Sequence, residues 1–217
     1  MRLRKSTDPS LSAETARHQP IRIHLPAVVH LPHRDRAAGE NPDRDAALRT
    51  EHVLRRLPER RWIVLDGADH KHGLDHVVVG PAGVFAITSR KPEGPGVRVR
   101  DGVLWLRKGE DRRASRPGTA INRCALDAAR ALERDIRSRS HYQVEVHPLV
   151  VLWCEFPQAV AESTKITFVH GRDLFGWLSA QEPALDEQSS AQIAQTVRMA
   201  QSSGRSRGHV PPRGRAA

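Results

Sequence analysis

The sequence is short of the features by which many small proteins announce themselves. Only two of its 217 residues are cysteine, Cys124 and Cys154. They have neither zinc-ligand spacing nor the density of a disulfide framework, which argues against a stapled secreted scaffold and suits a reducing compartment. A cytoplasmic location is therefore expected. One cysteine falls in an expected helix and the other in an expected buried strand, where inert thiols are the default. No run approaches the ~18 apolar residues needed to span a bilayer, so no membrane partner is expected. The basic start, Met1-Arg2-Leu3-Arg4-Lys5, is not followed by an apolar stretch, and no secretory signal is expected there. There is no glycine-rich phosphate loop of the P-loop or Rossmann type. Serines near the central apolar run lack a Gly-x-Ser-x-Gly elbow, which speaks against serine-hydrolase chemistry.

What the chain does have is positive charge. Lysine and arginine number 35 against 25 acidic residues, a formal net charge of +10. Such a balance points to a polyanionic partner but says nothing about fold. It is equally compatible with an arginine-rich composition that reflects only coding bias.

The length allows one domain of roughly 100–150 residues plus tails. Residues 1–44 are polar and punctuated by Pro9, Pro20, Pro26, Pro32 and Pro42, and read as mostly disordered. From Asp45, the spacing of Ala46, Ala47, Val53, Leu54 and Leu57 predicts a helix that Pro58 ends. Trp62 to Leu65 reads as a strand stopping at Asp66-Gly67. The run from Leu74 to Arg90 is the centre of the chain: two β-branched stretches flank Gly80-Pro81-Ala82-Gly83, a hairpin with a short turn. Val97–Arg100 and Val103–Leu106, joined by Asp101-Gly102, read as a second hairpin. A basic loop runs from Arg107 to Pro117. A long helix is expected over about 119–138, burying Ile121, Ala125, Ala128, Ala129, Leu132 and Ile136. Val144 to Cys154 reads as a strand buried on both faces. A strand at 165–169, a short helix at 173–178 and a last helix at 189–202 complete the expectation, with a domain over 45–180, a C-terminal helix within 181–203 and a disordered basic tail over 204–217. A strand that follows a long crossover helix favours parallel addition. The fold class is α/β (α+β), with one central mixed sheet.

Thr50-Glu51 in the first helix, the run Gly73-Leu74-Asp75-His76-Val77-Val78-Val79-Gly80-Pro81-Ala82-Gly83-Val84-Phe85, and the basic end of the following strand resemble the nuclease-related domain, or NERD, family. That family is similar to the restriction-endonuclease-like PD-(D/E)XK nucleases. The resemblance implies a core of helix, three strands, helix and strand. It also implies a metal-dependent site for cleaving DNA phosphodiesters with Mg²⁺ or Mn²⁺. Carried over position by position, the helix acid of a Gly-Glu pair matches Glu51, with Thr50 in place of the glycine, and the strand aspartate matches Asp75. The Glu-x-Lys pair falls on Thr88 and Arg90.

That departure matters chemically. A divalent cation supplies hydroxide and stabilises charge, and Mg²⁺ prefers carboxylate oxygens. Residues two apart on a strand share a face, so an acid and a lysine at that spacing both reach the metal. Thr88 offers a neutral hydroxyl. Arg90 can clamp a phosphate but stays protonated. Lys91 is one position out of register, and a bulge at Ser89-Arg90, or Glu93 from beyond Pro92, would be needed to complete the set. In the nuclease reading Glu51, Asp75 and Thr88 hold the metal, Arg90 clamps the phosphate and Lys91 serves as base or charge stabiliser.

Arg107, Lys108, Arg112, Arg113 and Arg116 form a basic cluster able to hold phosphates without base specificity. Trp105 stands beside it and could stack on a base. His70, His72 and His76, with Asp69 and Asp75, form a local group that could take zinc or nickel or could be a solvated loop. Three functions follow: a metal-dependent nuclease, a catalytically inactive nucleic-acid-binding module of the same fold, or a structural or protein-interaction domain.

Overall fold

The computed structural model describes residues 41–69, 73–94, 96–107 and 115–205, with side chains for those within 41–65 and 73–201. Helix α1 (Pro42–Leu54) begins ahead of the expected Asp45. Asn41 caps it by accepting from the Asp43 N–H at 3.1 Å, and Pro42 takes the first helical position, where its missing N–H costs nothing. A proline that reads as loop punctuation is thus a start signal. The helix closes at Leu54, with the Arg55 N–H on the Glu51 carbonyl.

Strands β1 (Ile63–Asp69), β2 (Leu74–Gly80) and β3 (Gly83–Arg90) form an antiparallel meander. β1 continues past Asp66-Gly67 because its register to β2 slips between Asp66 and Asp69, which lets pairing resume beyond the glycine. The central hairpin closes through Pro81-Ala82 alone: Gly80 pairs with Gly83, whose φ is +124°. Gly80 is required for another reason. A Cβ there would meet the Trp62 ring at 2.2 Å, so the indole lies directly on the strand end.

The second hairpin is as expected: β4 (Val97–Arg100) and β5 (Val103–Arg107) turn through Asp101 and Gly102, both at positive φ. A short β6 (Ser115–Pro117), which carries no apolar alternation to reveal it, pairs with β5 and completes a separate three-stranded sheet. Helix α2 (Thr119–Arg139) then leads to β7 (Val146–Leu152), which adds parallel to β3 from Val84 opposite Val146 to Arg90 opposite Leu152. β8 (Val160–Glu162), another strand without a sequence signal, pairs antiparallel with β9 (Thr167–His170). Helices α3 (Leu174–Ser179) and α4 (Glu187–Arg205) follow. The main sheet has six strands in the order β1-β2-β3-β7-β9-β8, mixed as expected, around the helix, three-strand, helix, strand core.

The two faces of this sheet are covered differently. Val78, Phe85, Ile87, Leu149, Val151 and Val169 pack under α1 and α3. Val77, Val79, Val84 and Ala86 pack under α2 and α4, where Ala128, Ala129 and Leu132 let the helix approach closely. Val150, Leu152 and Phe168, further along, are covered by Val97, Val99 and Leu104 of the small sheet with Ala125 of α2. Burying aliphatic surface on both faces of β3 and β7 is worth on the order of 1.5–3 kcal/mol per large side chain. No described helix is long and apolar enough to cross a membrane.

Candidate functional site

At the open end of β3, alternation directs Ser89 toward α1 and Thr88 and Arg90 toward the other face. Ser89 is fully buried, and its hydroxyl donates to Thr50 Oγ1 at 2.9 Å. The Trp153 indole N–H donates to the same oxygen at 2.9 Å, while the Thr50 hydroxyl donates to the Ala46 carbonyl at 2.9 Å. One threonine side chain thus joins α1 to β3 and to the residue after β7. The indole also supports the Arg49 guanidinium, 5.8 Å from its ring.

The β2–β3 ladder ends at His76 opposite Ile87. One step beyond, Asp75 Oδ2 accepts from the Ser89 N–H at 2.5 Å, so a carboxylate continues the ladder in place of a carbonyl. Arg90 stands over it, with Nη1 3.6 Å from Asp75 Oδ2 and Nε 3.9 Å from Asp43 Oδ2 at the start of α1. Arg90 Nη1 also donates to the Ser89 carbonyl at 2.7 Å. Lys91 points elsewhere: its N–H donates to Asp43 Oδ1 at 3.0 Å and its ammonium to Asp45 Oδ2 at 3.1 Å. Those contacts, with Arg49, hold the Asp45 carboxyl below its ordinary range, the Lys91 hydrogen bond contributing most.

Burial pushes the Asp75 carboxyl above its ordinary value, outweighing the Ser89 N–H and the Arg90 charge that favour ionisation. A carboxyl that holds its proton more tightly when folded contributes stability in acid, and that contribution is lost as the pH rises through its folded pKa. Asp75→Asn keeps an acceptor for Ser89 and removes the titration. Urea denaturation at pH 4 and pH 7 is expected to show the variant gaining stability relative to the native chain as the pH rises. A native chain that gains relative to the variant instead would contradict this account of the site.

The sequence-derived residues are brought together only in part. Asp75 and Arg90 meet. Glu51 is bound by Arg55 one turn along α1, on a helix that lies against the face of the sheet opposite Thr88. Thr88 is 1% exposed, and its hydroxyl has no hydrogen-bond partner among the described residues. The β3–β7 register runs unbroken to Arg90, so no bulge turns Lys91 toward Asp75. In the basic cluster, Arg107 is bound to Glu155 at 3.0 Å and Arg116 is exposed, while Lys108, Arg112 and Arg113 lie outside the described residues. His70 and His72 also lie outside them, and His76 belongs to β2 at 3% exposure rather than to a loop. Cys124 is exposed on α2, not a core thiol. Cys154 follows β7, and burial raises its thiol to about 11, which keeps it inert at neutral pH. The sequence reading missed Thr50 as the tie and Asp43 and Asp45 as partners of the strand end. The one available signal was Thr50 itself, standing where the resemblance calls for glycine.

These residues do not fit Mg²⁺ or Mn²⁺. Either ion needs converging carboxylate oxygens. Asp75 already accepts from a backbone N–H, and the Arg90 guanidinium contacts both it and another acid near it, Asp43. Thr88 adds no charge. Among the described residues, no group of three or more His, Cys, Asp or Glu side chains could hold a metal ion.

Compared with known proteins, the chain matches the family model described as NERD, nuclease-related domain, over residues 39–153, just over half its length. That span runs from the approach to α1 to the end of β7 and includes Asp75 and Arg90. No curated protein and no solved structure matches it.

Proposed function

Because the chain belongs to the nuclease-related domain family, we propose that it is a catalytically silent, DNA-binding member of that family. The observation that carries this reading is the position of Arg90, within 3.6 Å of Asp75 and 3.9 Å of Asp43. A guanidinium between two carboxylates supplies the positive charge that a divalent cation would bring, and repels the cation itself. Arginine also cannot give up its proton, so it cannot activate water as a base. Recognition of the substrate can outlast its cleavage. The net charge of +10 supports binding through phosphates, which depends on counterion release and not on sequence.

The test is incubation of the purified chain with supercoiled plasmid and millimolar Mn²⁺, with Asp75→Ala in parallel. Nicking is expected to be the same in both, while DNA binding weakens steeply with salt. Cleavage by the native chain above the Asp75→Ala background would overturn the silent reading and restore metal-dependent phosphodiester cleavage.

A further inference from the structure

The small sheet presents a face that the core does not use. In β4 the valines at 97 and 99 are buried and the arginines at 98 and 100 are exposed. Register places Arg98 directly opposite Trp105, and Trp105 opposite Pro117 on β6. Arg100 lies opposite Val103 on the same face. Directly opposed residues share one side of a sheet with Cβ atoms roughly 4.5–5.5 Å apart, and diagonal ones stand roughly 7–8 Å apart, so Arg98 borders the tryptophan directly and Arg100 diagonally. Trp105 is half-buried and stands outside all three apolar clusters, unlike Leu104 and Leu106 beside it. It has no aromatic neighbour within stacking range among the described residues.

We propose that the outward face of the β4–β6 sheet, with Trp105 flanked by Arg98 and Arg100, binds single-stranded DNA by stacking a base on the indole. The proposal rests on the DNA-binding reading and gives it a strand state. A tryptophan on a sheet offers a flat surface, and any unpaired base has a π-face to lay on it. In a duplex those faces are already stacked on one another. The arginines supply the phosphate contacts that hold the strand across the ring. This face belongs to a different sheet from the Asp75–Arg90 pair, and none of the three residues named for it comes from that pair's strands.

Fluorescence anisotropy with labelled oligo-dT, oligo-rU and a duplex of the same length tests the assignment. Native protein is expected to prefer oligo-dT. Trp105→Ala is expected to weaken that binding about 5- to 150-fold, with Trp105→Phe restoring most of it. Arg98→Ala and Arg100→Ala should each lower the log–log salt slope by about 0.7. Circular dichroism checks that each variant is folded, and the phenylalanine variant distinguishes stacking from a packing role. Equal binding of duplex and single strand, unchanged by Trp105→Ala, would overturn this proposal and leave DNA binding intact. A preference for oligo-rU that depends on Trp105 would overturn the assignment to DNA. No binding to any probe at low salt would overturn both this proposal and the function it rests on.

Discussion

Thr50→Val is expected to cost the fold roughly 2–4 kcal/mol, because it orphans two donors at once. Valine matches threonine in shape, so little packing is lost. What disappears is the oxygen that accepts from the Ser89 hydroxyl and the Trp153 indole, both at 2.9 Å. Thr50 and Ser89 are fully buried, so water cannot substitute for the lost acceptor at the serine. Domains of this size are stable by only about 5–15 kcal/mol, and the change should be plain in urea denaturation followed by tryptophan fluorescence. Adding Ser89→Ala should recover part of the loss, since it removes one of the stranded donors. Additive single effects, or a Thr50→Val cost below about 0.5 kcal/mol, would mean that this contact does not tie α1 to the sheet.

The second large effect is a gain. Thr88→Glu with Arg90→Lys rebuilds the acid and lysine that the family pattern calls for. The pair is expected to convert the end of β3 into a divalent-cation site with Asp75. Position 90 already faces Asp75, and strand alternation puts position 88 on the same face. The Thr88 hydroxyl makes no hydrogen bond among the described residues, so a carboxylate there displaces no contact seen among them. Two carboxylates are enough for a weak Mn²⁺ site. With a Kd of about 1 mM, a tenfold excess of Mn²⁺ would add about 1.4 kcal/mol of stability. Thermal unfolding should then rise by roughly 3–6 °C with Mn²⁺ in the double variant and not in the native chain. No shift in the double variant would mean that something beyond these two residues keeps the site closed. Arg90→Lys alone separates the contributions, since it removes the guanidinium without supplying an acid.

Much of the fold could be read from the chain because its central strands declare themselves. β2 and β3 are apolar runs rich in β-branched residues, with a glycine at each end of a two-residue turn, and burial of nearly every residue in them explains the lack of polar alternation. α2 was legible from its alanine and leucine spacing, and the parallel addition of β7 from the length of the crossover. Three-residue strands such as β6 and β8 carry too little pattern to be seen and exist because a neighbouring edge offers hydrogen bonds. The early start of α1 was hidden because proline reads as a breaker unless its capping partner, Asn41, is considered with it.

The site was less legible for a different reason. Asp75 stands out by its position in a distinctive run. The partners that decide its chemistry are distant in sequence: Lys91 meets Asp43 and Asp45 from more than forty residues away. Such contacts depend on how α1 lands on the sheet, which no local pattern encodes. Glu51 was assigned by matching, but a matched position does not fix a rotamer, and Arg55 one turn away binds it.

The pairing of β3 with β7 carries a consequence for biosynthesis. Val84 must wait for Val146, with the whole small sheet and α2 emerging between them. The β2–β3 hairpin can close within about 1–10 μs of leaving the ribosome. At about 5–20 residues per second, β7 follows roughly 3–12 s later. Throughout that interval β3 offers an unpaired edge, apolar from Val84 to Ile87, the kind of surface on which nascent chains aggregate. The strand ends on Arg90, and Lys91 and Pro92 come directly after it, so two charges and a residue that cannot extend a ladder stand at its end. Charges and a proline in that position oppose edge-to-edge pairing of an exposed strand, whatever else they do in the finished protein.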